Sequence, residues 1–222
     1  MNRNSKEFIP ALRFSWLTAL YDPIVALTCR ERFFKSRLID QAGLVASQQI
    51  LDLGSGTGTL AIQIKKTVNG SLVTGIDADE NIISIAQTKS SSLGLDVKFV
   101  EGLSFDMPFD GNKFDRCVSS LFFHHLNLKN KERTFQEAYR VLKPNGEIHI
   151  ADWGKPTNII MRCLFYIVQL LDGFETTSDS VSGVLPELMR KAGFVDVAVN
   201  ETISTPLGTI TLYSAKKIGL RS

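Results

Sequence analysis

The stretch Ile50-Leu51-Asp52-Leu53-Gly54-Ser55-Gly56-Thr57-Gly58 decides the fold of this chain. A short apolar run leads into glycines at every second position, and a helical pattern over Leu60–Val68 follows at once. Glycine lacks a β-carbon, so the backbone N–H groups of such a loop approach a ligand closely and point at an anion at the helix start. The sequence therefore predicts a strand, a ligand-binding loop and a helix, in that order.

Alternating strand and helix patterns surround this loop. Strands are predicted at Gln49–Leu53, Leu72–Asp77, Val97–Glu101, Phe114–Ser120 and Glu147–Asp152. Helices are predicted between them at Leu60–Val68, Glu80–Leu93 and Lys131–Leu142, the last ended by Asn145-Gly146. The tail predicts one more helix and a closing antiparallel pair, at Pro186–Ala192, Val195–Ile203 and Thr209–Lys216. This βαβ alternation is typical of an α/β domain with a mostly parallel sheet.

Composition narrows the class of protein but names no ligand. The chain has 222 residues, of which 44% are apolar and 22% charged, so it is long and apolar enough for one globular domain. Its net charge is +2, and its Lys and Arg are scattered. A nucleic-acid-binding protein usually has a concentrated basic surface, so we expect no nucleic acid partner.

Cysteine usage and hydropathy predict the compartment. Cys29, Cys117 and Cys163 are odd in number and far apart, which favours reduced thiols over disulfides or a metal site. The most apolar stretch, Ile159–Leu171, contains Arg162 and is shorter than the roughly 20 residues of a membrane-spanning helix. The first residues show no secretory signal pattern. We therefore predict a cytoplasmic protein without a transmembrane segment.

Two carboxylates restrict the ligand of the glycine loop. Asp52 stands two residues before Gly54, a placement that suits a ligand with a positive amino group. The run Gly56–Ala61 also satisfies the dinucleotide pattern G-x-G-x-x-G/A, so a nicotinamide cofactor stays open. Asp77 ends the second predicted strand, where a carboxylate can accept hydrogen bonds from the hydroxyls of a ribose. A nicotinamide cofactor also contains such a ribose, so Asp77 does not distinguish between the two kinds of cofactor. The alternative without a ligand is a tight turn with a solvated aspartate.

Further motifs follow the loop in a specific order. They are Gly75-Ile76-Asp77, Met107-Pro108-Phe109, Lys113-Phe114-Asp115 and Arg140-Val141-Leu142-Lys143-Pro144-Asn145-Gly146. With the loop, this series resembles the class I S-adenosylmethionine-dependent methyltransferases, and most closely the ubiquinone/menaquinone C-methyltransferase-like group. The resemblance covers roughly residues 45 to 155. It implies a Rossmann-like sheet that is mostly parallel, an antiparallel final strand and a helical N-terminal lid.

The resemblance also implies the cofactor S-adenosyl-L-methionine and residues that bind it. The glycine loop would hold the methionine part, Asp77 the ribose, and the turn at 102–104 the adenine. The family usually has an acidic residue directly after the equivalent of Gly102, but Leu103 stands there, so backbone groups or Ser104 must bind the adenine amino group. The expected cofactor-binding residues are Asp52, Gly54, Ser55, Gly56, Gly58, Asp77, Ala78, Gly102, Leu103, Ser104 and Ser120.

The chain divides into three parts of a single domain. Residues 1–45 contain two amphipathic helical patterns, one with Tyr21 at its end and one with Phe33, Phe34, Leu38 and Ile39, and are predicted to form the lid. Residues 46–155 form the cofactor-binding core. Residues 156–222 supply a substrate-side insertion and the closing strands.

Candidate catalytic groups stand at the carboxyl ends of the fourth and fifth strands, where open α/β sheets bind ligands. Methyl transfer depends mainly on alignment, and a base is needed only when the nucleophile carries a proton. His124 and His125 are candidates for this base, although a histidine in such a turn also serves to fix the loop. Asp152 either positions the substrate or caps the strand end. His149 falls within a predicted strand and reads as a hydrogen-bonded core residue.

The acceptor is predicted to be a small apolar or aromatic molecule. Tyr21 in the lid and the helical pattern from Asn158 to Leu171, followed by Phe174, place large apolar side chains around the expected site. Tyr21 is a tentative catalytic residue, with simple packing against the Asp22-Pro23 turn as the alternative. The acceptor atom and the oligomeric state are not indicated by the sequence.

Two competing functions remain at this point. An NAD-dependent oxidoreductase is compatible with the glycine loop alone. A non-catalytic S-adenosylmethionine-binding protein is compatible with the whole pattern, since a fold persists without its activity. Amino methylation of nucleic acid bases is disfavoured because Ser119-Ser120-Leu121-Phe122 lacks the Asp/Asn-Pro-Pro-aromatic pattern associated with it.

Overall fold

A computed structural model describes residues 30–172, 179 and 182–219 of the chain. The first amphipathic segment of the predicted lid, with Tyr21, lies outside the described residues, and so does Phe174. No helix in the described part of the chain is long and apolar enough to cross a membrane.

Within the described ranges, seven strands form one sheet in the order β3-β2-β1-β4-β5-β7-β6. The neighbours from β3 to β5 are parallel, and β7 pairs antiparallel with both β5 and β6. The strands are β1 Gln49–Leu53, β2 Leu72–Asp77, β3 Lys98–Glu101, β4 Phe114–Ser120, β5 Leu142–Trp153, β6 Val195–Thr205 and β7 Gly208–Lys216. The Rossmann-like, mostly parallel sheet with an antiparallel closing pair is therefore confirmed.

Helices cover both faces of the sheet and create two apolar cores. Their bounds are α1 Glu31–Ala42, α2 Thr59–Thr67, α3 Glu80–Ser92, α4 Leu128–Val141, α5 Ile159–Asp172 and α6 Leu185–Lys191. One core joins α1, α2, α3 and α5 to the sheet through residues such as Phe34, Leu60 and Phe165. The other joins α4 and α6 through residues such as Phe135 and Met189. Because both faces are covered, ligands have access at the strand ends.

The prediction that Asn145-Gly146 ends the third predicted helix is wrong. Helix α4 ends at Val141, and β5 begins at Leu142, opposite Phe114 of β4. The residue before Pro144 is disfavoured in helical conformation, so the chain turns extended earlier. Asn145 has φ 63° and donates its N–H to Lys217 O at 3.1 Å, so it forms an irregular turn at the start of β5.

Helix α1 was predicted as part of the lid, and the structure shows it docked on the sheet. Phe34, Leu38 and Ile39 are buried in the core that also contains β1 and β7 residues. The side chain of Gln41 donates to Tyr213 O of β7 at 2.9 Å. The helical prediction for this segment is confirmed, whereas closure of residues 1–45 over the cofactor stays a prediction.

His149 lies in a buried polar network between α1 and the sheet, as expected for a core histidine. Its Nδ1 is 3.2 Å from Gln41 Nε2, and its Nε2 is 3.2 Å from Glu147 Oε2. Because the Gln41 amide donates, Nδ1 accepts, and Nε2–H donates to the carboxylate. Burial lowers the pKa of His149 to about 4, against the opposing charge of Glu147.

Mild acid should therefore destabilise the fold through His149. The unfolded chain protonates this histidine near its ordinary pKa of 6.5 and the folded chain only near 4, so stability falls as pH decreases through that window. The contribution lost is up to about 3 kcal/mol. Urea unfolding of the parent protein and of His149→Gln at pH 7 and pH 5 measures it. We expect a flatter pH dependence in the variant, and equal slopes would contradict this account.

Candidate cofactor and acceptor site

The glycine loop forms a tight turn between the carboxyl end of β1 and α2. Gly54, Gly56 and Gly58 all have positive φ, at 69°, 52° and 75°. Ser55 N–H donates to Ile76 O of β2 at 2.9 Å, and Gly58 N–H donates to Ser55 O at 2.9 Å. The left-handed conformation is the one that glycine adopts without strain, so this backbone path needs the residues that the sequence supplies.

The three glycines are required for different reasons. A β-carbon on Gly54 would overlap the ring of Phe122, and one on Gly58 would lie 2.6 Å from Cζ of Phe99. A β-carbon on Gly56 would meet nothing within 4 Å. Gly54 and Gly58 therefore permit packing inside the protein, whereas Gly56 exposes its backbone to open space. This cradle fits the amino acid end of the cofactor that the sequence predicts.

Asp77 connects the loop to the end of β2. Its Oδ2 accepts the N–H of Gly56 at 2.9 Å, and its Oδ1 accepts the N–H of Asp79 at 3.2 Å. Its backbone carbonyl accepts the N–H of Gly102 at 2.9 Å. Burial raises the pKa of Asp77, and the backbone donors oppose that rise. The carboxylate thus holds the loop in place through hydrogen bonds to its backbone. Its contact with ribose stays a prediction.

Asp52 is buried, with 1% of its surface exposed, so it is not a solvated aspartate. Its Oδ2 accepts the N–H of Ala61 in the first turn of α2 at 3.0 Å. Burial raises the pKa of Asp52 to about 7, and the ammonium of Lys35 acts against that rise. A second positive group close to Asp52 would lower this pKa and so favour the charged carboxylate.

The turn predicted to receive adenine follows β3. Leu103 pairs with Asp106 across the turn, and Asp106 N–H donates to Leu103 O at 3.1 Å. The Ser104 hydroxyl is buried and lies 2.9 Å from Oγ1 of Thr134 in α4. Ser104 is therefore held by the protein, and backbone groups are the better candidates for binding the adenine amino group. Ala78 and Ser120 are half-buried at the ends of β2 and β4.

His124 and Asp152 form a buried pair between the turn after β4 and the end of β5. His124 Nδ1 lies 2.7 Å from Asp152 Oδ1, and each side chain is 1% exposed. Asp152 Oδ2 also accepts the N–H groups of Phe122 at 3.0 Å and Phe123 at 2.7 Å. Burial acts to raise the pKa of Asp152, but His124 and the backbone donors hold it below its usual value. Because a carboxylate only accepts, Nδ1 carries the proton, so in the neutral ring Nε2 has the lone pair. Nε2 is itself buried.

His125 occupies the neighbouring position in the 3₁₀ turn Phe123–His125. Its ring lies 3.9 Å from the ring of His124, between centroids. Burial is the main cause that lowers the pKa of His125 well below its usual value, and the neighbouring His124 and Lys131 act in the same direction. His125 is therefore neutral at pH 7. Of the predicted catalytic residues, the structure brings His124, His125 and Asp152 together, and Tyr21 lies outside the described residues.

Three residues near the predicted site were not singled out from the sequence. Glu137 of α4 accepts the N–H of Met107 at 2.8 Å, and Arg140 donates to Phe109 O at 2.7 Å, so the helix clamps the loop after the adenine turn. Their spacing of three residues on one helix face was the available signal. Lys35 was also missed, although it lies within the apolar stripe of α1.

Comparison with known proteins identifies the family. A family model described as a methyltransferase domain matches residues 50–146. Demethylmenaquinone methyltransferase from Thermus thermophilus is 30% identical over 159 residues, which are 69% of this chain and 71% of that one. This chain belongs to the class I S-adenosylmethionine-dependent methyltransferases. A ubiquinone/menaquinone biosynthesis C-methyltransferase from Idiomarina loihiensis is 26% identical over 219 residues, covering 88% of this chain and 86% of that one.

A solved structure agrees with the fold. Phosphoethanolamine N-methyltransferase 2 from Haemonchus contortus, in complex with phosphomonomethylethanolamine and S-adenosylhomocysteine, has a TM-score of 0.67 at 18% identity. The match covers 83% of this chain and 52% of that one, so this chain spans about half its length.

The cofactor of this methyltransferase is S-adenosylmethionine, and its reaction is methyl transfer. These sequence predictions are confirmed. Neither the nicotinamide alternative nor the non-catalytic alternative gains support from the relatives.

The open space beside Gly56 gives a direct test of the cofactor site. We expect Gly56→Ala to weaken binding of S-adenosylhomocysteine by about tenfold or more, because the added methyl group occupies the space that the ligand approaches. Gly94→Ala is the matched control, since Gly94 also has positive φ, at 65°, and its β-carbon would also meet nothing within 4 Å. Both variants should lose about 1 kcal/mol of stability.

Isothermal titration calorimetry measures the affinity, and thermal unfolding of the empty protein measures the stability. A fall of affinity that is equal in the two variants would contradict the assignment, because only one of them touches the predicted site.

Proposed function

We propose that this methyltransferase acts on a small apolar or aromatic acceptor with a ring hydroxyl, of which a quinol is the first example to test. The observation that carries the proposal is the buried His124–Asp152 pair at the carboxyl ends of β4 and β5. Two further facts support it: aromatic side chains pack beside the pair, and the relatives are named for demethylmenaquinone and for ubiquinone and menaquinone biosynthesis.

Aromatic side chains lie beside His124 and in the turn that contains it. Trp153 lies 6.3 Å from His124 and 5.4 Å from Phe165, between ring centroids. Phe122 and Phe123 are in edge-to-face contact at 5.6 Å. Planar apolar molecules bind well in such surroundings, because ring contacts and the exclusion of water both favour them. A strongly charged acceptor would lose its hydration there without compensation.

The chemistry assigned to each residue follows from this arrangement. The bound cofactor supplies an electrophilic methyl group whose carrier leaves as a neutral sulfide. Asp152 fixes the His124 ring so that Nε2 accepts the proton of a ring hydroxyl. The resulting phenolate has electron density on its oxygen and on the neighbouring ring carbon, and either atom can take the methyl group. Transfer to the oxygen gives a methyl ether directly. Transfer to the carbon gives a dienone, whose ring C–H proton then moves to the oxygen, so the aromatic ring is restored and one proton in total is released. His124 then passes the proton to water, which balances the reaction.

We also propose that the protein works in the cytoplasm. Cys117 is a buried free thiol and Cys163 an exposed one, and free thiols persist in a reducing compartment. Burial strongly raises the pKa of Cys117, so that thiol is inert.

Replacing His124 should separate proton transfer from cofactor binding. In His124→Asn the amide can still donate to Asp152, but the imidazole at this position is lost, so we expect turnover to fall about 10²-fold or more with little change in cofactor affinity. His149→Gln is the control, since it changes a buried histidine outside the site. Both are assayed at pH 7.5 with a panel of quinols, phenols, thiols and amines.

Two results would count against the proposal. Unchanged turnover in His124→Asn, with an acceptor whose reacting atom carries a proton, would show that His124 is not the base. Turnover confined to protein or RNA substrates would contradict a small enclosed acceptor.

A further inference from the structure

Helix α5 has large apolar side chains on a face that the rest of the protein does not cover. Ile159 is 79% exposed, Ile160 64% and Tyr166 44%, and Cys163 is exposed as well. The spacing of these four residues puts them on one face of the helix, and we call them the α5 patch. Phe165, on the other side of the helix, is buried in the core. An apolar helix face that stays in contact with water marks a surface for a partner.

The first turn of α5 is capped, so the α5 patch has a defined shape. Oδ1 of Asn158 accepts the N–H of Met161 at 2.9 Å, and its backbone O accepts the N–H of Arg162 at 3.0 Å. Such a cap stabilises the start of a helix. Ile159 and Ile160 are therefore held side by side in water, and their removal from water by an apolar partner is favourable.

The charges near the α5 patch indicate what kind of partner it fits. In the sequence between Trp153 and Leu171, the only charged residues are Lys155 and Arg162, and both are positive. Lys155 is exposed, and the guanidinium of Arg162 lies 4.1 Å from the centroid of the Tyr166 ring. Apolar side chains next to basic ones, with no acidic residue among them, complement the acyl chains and the negative headgroups of an anionic lipid surface.

Helix α5 also borders the proposed acceptor site. Its buried residue Phe165 lies 5.4 Å from Trp153, and Trp153 lies 6.3 Å from His124, between ring centroids. One side of α5 therefore packs beside the site while the opposite side is apolar and exposed. A lipid surface on the exposed side is within one helix diameter of the residues that the acceptor reaches.

We propose that the α5 patch docks on an anionic lipid membrane, with Ile159 and Ile160 among the acyl chains and Lys155 at the phosphate headgroups. The helix then lies in the plane of the interface and does not cross the bilayer. The proposal goes beyond the proposed function and is tested without an acceptor. Its failure is therefore distinct from failure of the proposed acceptor class.

Co-sedimentation of the parent protein with extruded vesicles measures the partition coefficient. One set of vesicles is an equimolar mixture of phosphatidylglycerol and phosphatidylcholine, and the other is phosphatidylcholine alone. We expect the partition coefficient to be at least about fivefold higher for the mixed vesicles, the effect of one basic side chain near an anionic surface. Added salt should reduce this difference, because it screens the headgroup charge.

Matched variants test the apolar and the basic parts of the surface separately. Ile159→Ser/Ile160→Ser should lower the partition coefficient for mixed vesicles by about tenfold or more. Leu72→Ser/Val199→Ser is the control, since these residues of β2 and β6 are 55% and 57% exposed and lie outside the α5 patch. It should bind as the parent does. Lys155→Gln should bind about fivefold more weakly to mixed vesicles only.

Three outcomes would overturn the proposal. The first is a parent protein that stays in solution with mixed vesicles, or that partitions equally into both kinds, and this arm needs no variant. The second is an equal loss of binding in the two double variants, which would mean that the α5 patch has no special role. Thermal unfolding of each variant reports its folding.

The third outcome is a second copy of this chain as the partner. Sedimentation velocity without vesicles would then show a dimer for the parent and a monomer for Ile159→Ser/Ile160→Ser. A parent protein that is monomeric without vesicles and bound to mixed vesicles is the expected result.

Discussion

Buried carboxylates at the strand ends hold the loops from which this site is built. Asp52 accepts the N–H of Ala61, Asp77 that of Gly56, and Asp152 those of Phe122 and Phe123. A loop that leaves a parallel sheet has backbone donors without strand partners, and a carboxylate satisfies them with charge-assisted hydrogen bonds. The loops are therefore fixed before any ligand arrives. The same carboxylates are the ones that the sequence analysis assigned to the cofactor and the acceptor, so the fold and the predicted site depend on one set of groups.

Some parts of this arrangement were predictable from the sequence, and others depend on how distant elements pack. The order of strands and helices was predictable because apolar runs, glycines and helical spacing are local signals. The early start of β5 was missed because Pro144-Asn145-Gly146 was interpreted as a helix end, whereas it lies in an irregular turn at the start of the strand. Pairing of His124 with Asp152 was out of reach, since it joins residues 28 positions apart through the register of β4 and β5.

The burial of Lys35 is another feature that the local sequence does not predict. A lysine beside an apolar stripe is usually interpreted as a surface residue whose stem covers the core. Its burial depends on where α1 docks, and that position is fixed by distant partners such as Tyr213 O and His149. The periodicity of α1 predicted its helix and its buried face. Only the packed structure shows that a charge on that face is buried, with Glu31 as its ion-pair partner.

The three histidines of the chain show how environment assigns different chemistry to one side chain. His149 is kept neutral by burial and serves as a link between α1 and β5. His125 is kept neutral mainly by burial, whereas His124 is oriented by the carboxylate of Asp152. The same side chain is therefore a link between elements at one position and an oriented ring at another. The difference comes from the partner that each ring nitrogen meets and from the water that each site excludes.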